Sequence, residues 1–194
     1  MTKSAKLSKR EATALAINTA ALALADERGL DGFTMDTLAE AAGVSRRTLF
    51  NYFPGKIDAI LGNPPEQNTE ALETFRAGGP TGNLMADIKE LTLDVLASAE
   101  VGVQEFARFR RLLKSEPRIL HAAHARFEEK SELMVSLIGE REGADKDPRR
   151  ARIAVRLILT AFDLALDDFL EQPGEATLAE QFSRTFSTIQ ELLG

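Results

Sequence analysis

The sequence predicts an all-α protein, and three observations carry that prediction. Strand punctuation is nearly absent. Ala, Leu, Glu and Arg dominate the composition. Apolar residues recur at spacings of three and four, the period of one helix face, instead of alternating as they would along a half-buried strand. With 194 residues, the chain can build one sizeable core or two small ones. It has no Cys, which excludes a disulfide framework, a thiolate metal site and a Cys nucleophile. Nothing resembles a signal peptide or an 18-residue apolar run, so a soluble, cytoplasmic protein without a membrane partner is expected.

Residues 1–7 read as a basic arm, either a solvated tail or a reach towards a groove. Ser8 to Glu11 (S-K-R-E) is a capping box that opens a helix running to about Arg28. Leu15, Ala16, Thr19, Leu22 and Ala23 are its expected core stripe, and Gly29 ends it. Thr34 is placed to cap a short second helix whose apolar face is Met35, Leu38, Ala39 and Ala42. Gly43 falls where a left-handed turn costs little, because it has no Cβ. Ser45 then caps a third helix. Leu49, Phe50 and Phe53 are its expected buried side, leaving Arg46, Arg47, Thr48, Asn51 and Tyr52 outside.

That outward set has the chemistry of base reading. Arg donates two parallel hydrogen bonds to guanine, Asn pairs similarly with adenine, and the Thr methyl touches thymine. Two short helices joined by a Gly-containing turn are the pattern of a DNA-binding helix-turn-helix. The same spacing also suits an ordinary helical corner with a solvated charged face.

The stretch T-x-x-x-L-A-x-x-A-G-V-S-x-x-T-L-F-x-Y-F-x-x-K from Thr34 to Lys56, preceded by ERGLDGF, resembles the DNA-binding domain of TetR-type repressors. The resemblance covers residues 10–60. It implies that Arg46, Arg47, Thr48 and Asn51 face base edges or the adjoining backbone of a double-stranded operator. It also implies that Thr34, Tyr52 and Lys56 hold phosphates; with Ser45 at the head of the reading helix these complete the expected DNA-binding set. The expected domains are 1–60 for DNA binding and 61–194 for ligand binding and dimerisation.

A net charge of −6 seems ill suited to a DNA binder until it is partitioned. Residues 1–60 hold eight Lys and Arg against seven Asp and Glu, while the remainder holds 16 against 23. The acid lies in the C-terminal part, so the overall charge says little about what the N-terminal face binds.

Past Pro54-Gly55, Lys56 starts a helix carrying Ile57, Ile60 and Leu61, which Gly62-Asn63-Pro64-Pro65 stops because proline has no N–H to continue it. A second piece is expected from Glu66 to about Ala77, whereas most TetR-like proteins have one continuous helix here. GGPTGN (78–83) is a loop. Helices are then expected over 84–99, 103–114, 117–139, 149–170 and 175–193. The 149–170 segment is apolar on more than one face, so one stripe can bury within the subunit and another against a partner. A homodimer pairing 149–170 and 175–193 as a four-helix bundle is expected, with Phe162 and Phe186 at its seam.

No catalytic constellation is visible, so no enzyme activity and no cofactor are expected. GGPTGN lacks the Lys of a phosphate-binding loop. Asp163, Asp167 and Asp168 read as ion-pair partners or a solvent boundary. His121, His124 and Glu128 share a helix face, which fits either a divalent-metal site or a polar surface. Arg108, Arg110, Arg111 and Lys114 form a basic cluster that suits either ligand phosphates or a solvated face. The run RFRRLLKSEPRILHAAHARFEEK and the connector GNPPEQNTEAL resemble the TetR subgroup with an acyl-CoA-like ligand. A small apolar effector, an acyl-CoA on this resemblance, would be lined by Leu91, Val95, Phe106, Phe109, Leu120, Phe127, Phe162 and Leu166. The expected function is a ligand-responsive repressor that binds a palindromic operator as a homodimer. The alternative is an architectural DNA-binding protein without a ligand.

Overall fold

The computed structural model describes residues 8–63, 68–98, 102–143, 147–172 and 174–193. Among these are ten α-helices and no strand. In order they are α1 (Lys9–Arg28), α2 (Met35–Ala41), α3 (Arg46–Tyr52), α4 (Lys56–Leu61) and α5 (Thr69–Arg76), then α6 (Leu84–Ser98), α7 (Val103–Ser115), α8 (Pro117–Glu142), α9 (Pro148–Glu171) and α10 (Leu178–Leu193). The expected N-terminal arm and the Pro64-Pro65 break lie outside the described residues, as does Pro173.

Packing divides the chain into two compact units, and the division does not follow the expected boundary at residue 60. The first unit gathers α1–α4 with α7 and the part of α8 that ends at Arg126; the second gathers α5, α6, α8 from Phe127 onwards, α9 and α10. Thus α7 and the start of α8, expected in the ligand-binding part, pack with the N-terminal helices.

In the first unit, the capping box at Ser8 forms as read: the Ser8 hydroxyl accepts from the Glu11 amide at 3.2 Å and the Glu11 carboxylate accepts from the Ser8 amide at 2.7 Å. The core stripe of α1 is a correction. Of the expected residues only Leu22 is buried; the buried face is Ile17, Ala21, Leu22, Leu24 and Ala25. The helix is apolar on most sides, so its own periodicity does not select a face. Contacts with α2, α4 and α7 do. Leu30, Phe33, Leu38, Leu49, Phe53, Ile60, Leu112 and Ile119 complete this core.

Three arginines clamp α7 and the start of α8 onto α1, the α1–α2 connection and the end of α4. Arg111 donates to both oxygens of Asp26 on α1, at 3.1 and 2.6 Å. Arg118 donates to both oxygens of Asp31 at 3.0 and 2.8 Å, while also holding Glu116. Arg126 donates to the Gly62 carbonyl at 2.5 Å, at the end of α4. That end is satisfied from the other side by the Asn18 amide, which donates to the Ala59 and Ile60 carbonyls at 2.8 and 2.9 Å. Free carbonyls at a helix end need such partners.

In the second unit, α9 buries Ala151, Ala154, Val155, Ile158, Ala161 and Ala165 in one stripe, small enough for α10 to approach closely and seat Phe182 and Phe186. Phe186 is 1% exposed within this core, so its expected place on a partner-facing seam is corrected. The helix α10 starts at Leu178, not Glu175, because Thr177 and Glu180 form a second capping box: the Thr177 hydroxyl accepts from the Glu180 amide at 3.2 Å and the Glu180 carboxylate accepts from the Thr177 amide at 2.8 Å. The 78–83 loop is organised from within by a buried ion pair. Arg141, with its side chain 3% exposed, donates to the carbonyls of Phe75, Gly78 and Gly79 and to Asp87, which is fully buried. Asp87 also accepts from the Thr81 amide and hydroxyl at 2.7 and 2.6 Å. Burial pushes the Asp87 carboxyl up, but the Thr81 hydroxyl, Arg141 and the Thr81 amide together outweigh it and hold the carboxyl below its ordinary range.

Candidate nucleic-acid interface

The turn between α2 and α3 is closed by backbone geometry. Gly43 sits at φ 66°, its amide donates to the Glu40 carbonyl at 3.1 Å, and the next amide, of Val44, donates to the Ala39 carbonyl at 3.0 Å. These two bonds are the Schellman ending of α2, which needs a residue at positive φ and therefore favours glycine. Thr34 and Ser45 are the expected caps: each hydroxyl accepts from the amide three residues on, at 3.1 Å for Thr37 and 3.0 Å for Thr48. The Ser45 and Thr48 hydroxyls lie 2.8 Å apart.

From this frame α3 buries only Leu49. Arg46, Arg47 and Asn51 are exposed, and Thr48 and Tyr52 are partly exposed, on a helix short enough to leave one side free. Arg47 has no hydrogen-bond or ion-pair partner among the described residues. Arg46 is held in place: it donates to Asp36 on α2 at 3.1 Å, and its guanidinium lies 5.6 Å from the centre of the Phe50 ring. Phe50 itself is 43% exposed, which corrects its expected place in the core. The core side of α3 is filled by Leu49, with Phe53 just beyond its end, and Phe50 follows Arg46 to the outside.

Lys56 has a structural task that the sequence pattern did not disclose. Its ammonium donates to the Leu30 and Phe33 carbonyls at 2.6 and 3.1 Å and lies 5.1 Å from the centre of the Phe33 ring. It therefore ties the start of α4 to the connection between α1 and α2. In that connection, a Cβ on Gly32 would stand 2.0 Å from the Arg28 carbonyl oxygen, so only glycine fits without a shift. Tyr52 packs against the core and beside Phe53, with ring centres 6.5 Å apart.

Residues 17–59 match the family model described as bacterial regulatory proteins, tetR family. This segment is a TetR-family DNA-binding domain. The TetR-type fold extends through the chain. A TetR-family regulator of Mesorhizobium loti is 15% identical, with 96% of this chain and 98% of that one covered at a TM-score of 0.52. NalD of Pseudomonas aeruginosa, the secondary repressor of the MexAB-OprM multidrug efflux pump, is 22% identical over 94% and 95% at 0.53. FadR of Thermus thermophilus, a repressor in complex with lauroyl-CoA, is 22% identical over 92% and 93% at 0.50. No curated protein matches the sequence.

The residues expected to line an effector pocket are divided. Phe106, Phe109 and Leu120 belong to the first unit, and Leu91, Val95, Phe127, Phe162 and Leu166 to the second. Leu120 and Phe127 are 51% and 41% exposed. In the basic cluster on α7, Arg111 is engaged by Asp26, and Arg108 lies 3.8 Å from the same carboxylate. The Arg111 guanidinium holds the Asp26 carboxyl below its ordinary range. Among the described residues, no three His, Asp or Glu side chains converge on a metal position, His121, His124 and Glu128 included. No described helix is long and apolar enough to cross a membrane. Within the second unit a cleft of about 470 Å³ opens between α5 and α6. Leu91 is the one expected pocket residue that lines it, and Glu70, Asp87, Glu90 and Asp94 share its wall.

Proposed function

We propose that the chain is a ligand-responsive transcriptional repressor that binds a palindromic DNA operator as a homodimer. The observation that carries this reading is the α3 surface, where Arg46, Arg47, Thr48 and Asn51 stand on the open side of a helix whose other side is anchored by Leu49. A helix of this kind fits the major groove with its side chains at base edges. Thr34, Ser45, Tyr52 and Lys56 act around it, Thr34 and Ser45 as caps and Lys56 as a brace whose remaining N–H reaches a phosphate.

Two-fold pairing supplies the palindrome. It uses the outer stripe of α9, Ile153, Leu157, Thr160 and Leu164, spaced 4-3-4 along the helix. Ile153 and Leu164 are 57% and 48% exposed and share one face of α9 with the half-buried Leu157, an apolar stripe that a partner helix would cover. The full-length likeness to NalD and to the lauroyl-CoA complex of FadR supports the repressor reading and an effector with an apolar body.

Selection from a random duplex library tests the whole reading. A recovered motif with two-fold symmetry, bound by a species of twice the chain mass in sedimentation, is the expected result. Replacing Ile153 and Leu164 together by Glu should leave a folded monomer that no longer retains the motif. An asymmetric or featureless selection, or a monomeric wild-type protein at micromolar concentration, overturns it.

A further inference from the structure

We infer that Asp36 is a positioning residue for DNA recognition: it holds Arg46 ready for a base edge and penalises its use on a phosphate. The inference rests on the repressor reading above, in which α3 lies along a duplex. Asp36 is absent from the expected DNA-binding set and stands on the other helix of the pair, in the first turn of α2. The turn at Gly43 and Val44 brings the start of α3 back within its reach.

The two neighbouring arginines of α3 are treated differently. Arg47 has no hydrogen-bond or ion-pair partner among the described residues. Arg46 is held from two sides. Its Nη1 donates to Asp36 Oδ2 at 3.1 Å, and its guanidinium lies 5.6 Å from the centre of the Phe50 ring, one turn further along α3. No residue of α3 is acidic, so the negative charge beside Arg46 comes from α2. The carboxylate occupies one direction of a fork with several N–H donors, and guanine asks for two, so the held arginine keeps donors for a base.

Stability does not explain the pair. The Arg46 and Asp36 side chains are 65% and 63% exposed, and an ion pair so open to water and salt adds little. The corner between α2 and α3 is already fixed by its Schellman ending and by Leu38, Ala39 and Leu49 in the core. On DNA the same pair has consequences. A free arginine on an open helix side can swing to the nearest phosphate, a contact that carries no sequence information. For Arg46 to do so, it must leave Asp36 or bring that carboxylate towards an oxyanion, and like charges brought together are costly. A base edge carries no net charge, so Arg46 can meet guanine with Asp36 still in place and its own side chain already ordered. The carboxylate thus lowers affinity for every duplex, and lowers it less where the right base is present. That is selectivity through a repulsive element.

The test is fluorescence anisotropy of wild type, Asp36→Ala and Asp36→Asn on the selected operator and on a scrambled duplex, across a salt series. The same two changes are repeated in Arg46→Ala protein, and circular dichroism checks that every variant is folded. Asp36→Ala should bind the scrambled duplex more tightly, with a log–log salt slope steeper by about 0.9, the value of one added phosphate contact. Its operator-to-scrambled affinity ratio should fall by about fivefold or more, and Asp36→Asn, which keeps the shape without the charge, should move it in the same direction. In Arg46→Ala protein neither change should alter the ratio by more than about twofold, because Asp36 acts through Arg46. An unchanged ratio in both Asp36 variants, or the same fall with and without Arg46, overturns the inference and leaves the repressor reading standing. Full selectivity in Arg46→Ala protein also overturns it and passes the reading to the rest of α3. Failure to select any operator overturns both.

Discussion

The two units are held together by opposite uses of charge. In the first, Arg111–Asp26 and Arg118–Asp31 join elements far apart in sequence, yet they do so at the surface: the two arginine side chains are 58% and 51% exposed. In the second, Arg141 and Asp87 are 3% and 0% exposed, and they hold each other, the loop's Gly78, Gly79 and Thr81, and the Phe75 carbonyl at the end of α5. An exposed pair gains little, because water and salt screen it and two long side chains must be held still. A buried pair is harmless while intact and costly once broken, because the surviving charge has no water to return to. The first unit therefore depends on its apolar core and tight turns, with the arginines as adjustable clamps. The second unit depends on one ion pair that tolerates no partner's loss.

The largest expected effect follows from that contrast. Arg141→Ala or Asp87→Ala should each cost about 3–5 kcal/mol, read as a shift in urea unfolding of the second unit. Replacing both partners by apolar residues should cost less than the sum of the two single changes. If the single changes cost under 1 kcal/mol, the pair is not what organises the 78–83 loop. Next comes Gly32→Ala, which must move the α1–α2 connection to separate its Cβ from the Arg28 carbonyl, at about 1–3 kcal/mol of strain in the first unit. An unchanged melting temperature would mean that this turn is loose.

Smaller still are the surface clamps. Arg118→Ala or Arg111→Ala should lower the melting temperature only slightly, and most of that loss should vanish in 1 M salt, where the screening length is about 3 Å. A salt-independent loss would place these pairs with the buried one. Acid should touch both units in the same direction. The carboxyls of Asp26, Asp31 and Asp87 are all held below their ordinary range, the first two chiefly by Arg111 and Arg118. Their contributions are thus complete above about pH 4, the ordinary carboxylate value, and are lost as pH falls through the lowered values. Added salt should remove the Asp26 and Asp31 part of that acid dependence and leave the Asp87 part.

What was legible in the sequence was local. The Ser8 box, the Thr34 and Ser45 caps, the Gly43 turn and the helices expected over 84–99 and 103–114, found at Leu84–Ser98 and Val103–Ser115, all come from residues within one or two turns of each other. What was not legible was long-range or underdetermined. Nothing near Arg111, Arg118 or Arg126 signals a partner more than sixty residues earlier, in the first two cases on or just after α1. The Ala-rich α1 offers several apolar faces, and only its neighbours decide which is buried. Phe50 was misread because aromatic residues on a short helix usually face the core, whereas here Leu49 fills that space and Phe50 serves the outside with Arg46. The second capping box at Thr177 was present in the sequence as T-L-A-E and could have placed the start of α10.

The central claim is that the outward side of α3 reads bases. Fluorescence anisotropy of the wild-type protein and of separate Arg46→Ala and Arg47→Ala variants, on the selected operator and on a scrambled duplex at one fixed salt concentration, tests it most directly. An arginine bidentate to guanine should cost about 1–3 kcal/mol on the operator when removed, with little change on the scrambled duplex, so that selectivity narrows. Wild-type affinity and selectivity in both variants would show that DNA is read elsewhere.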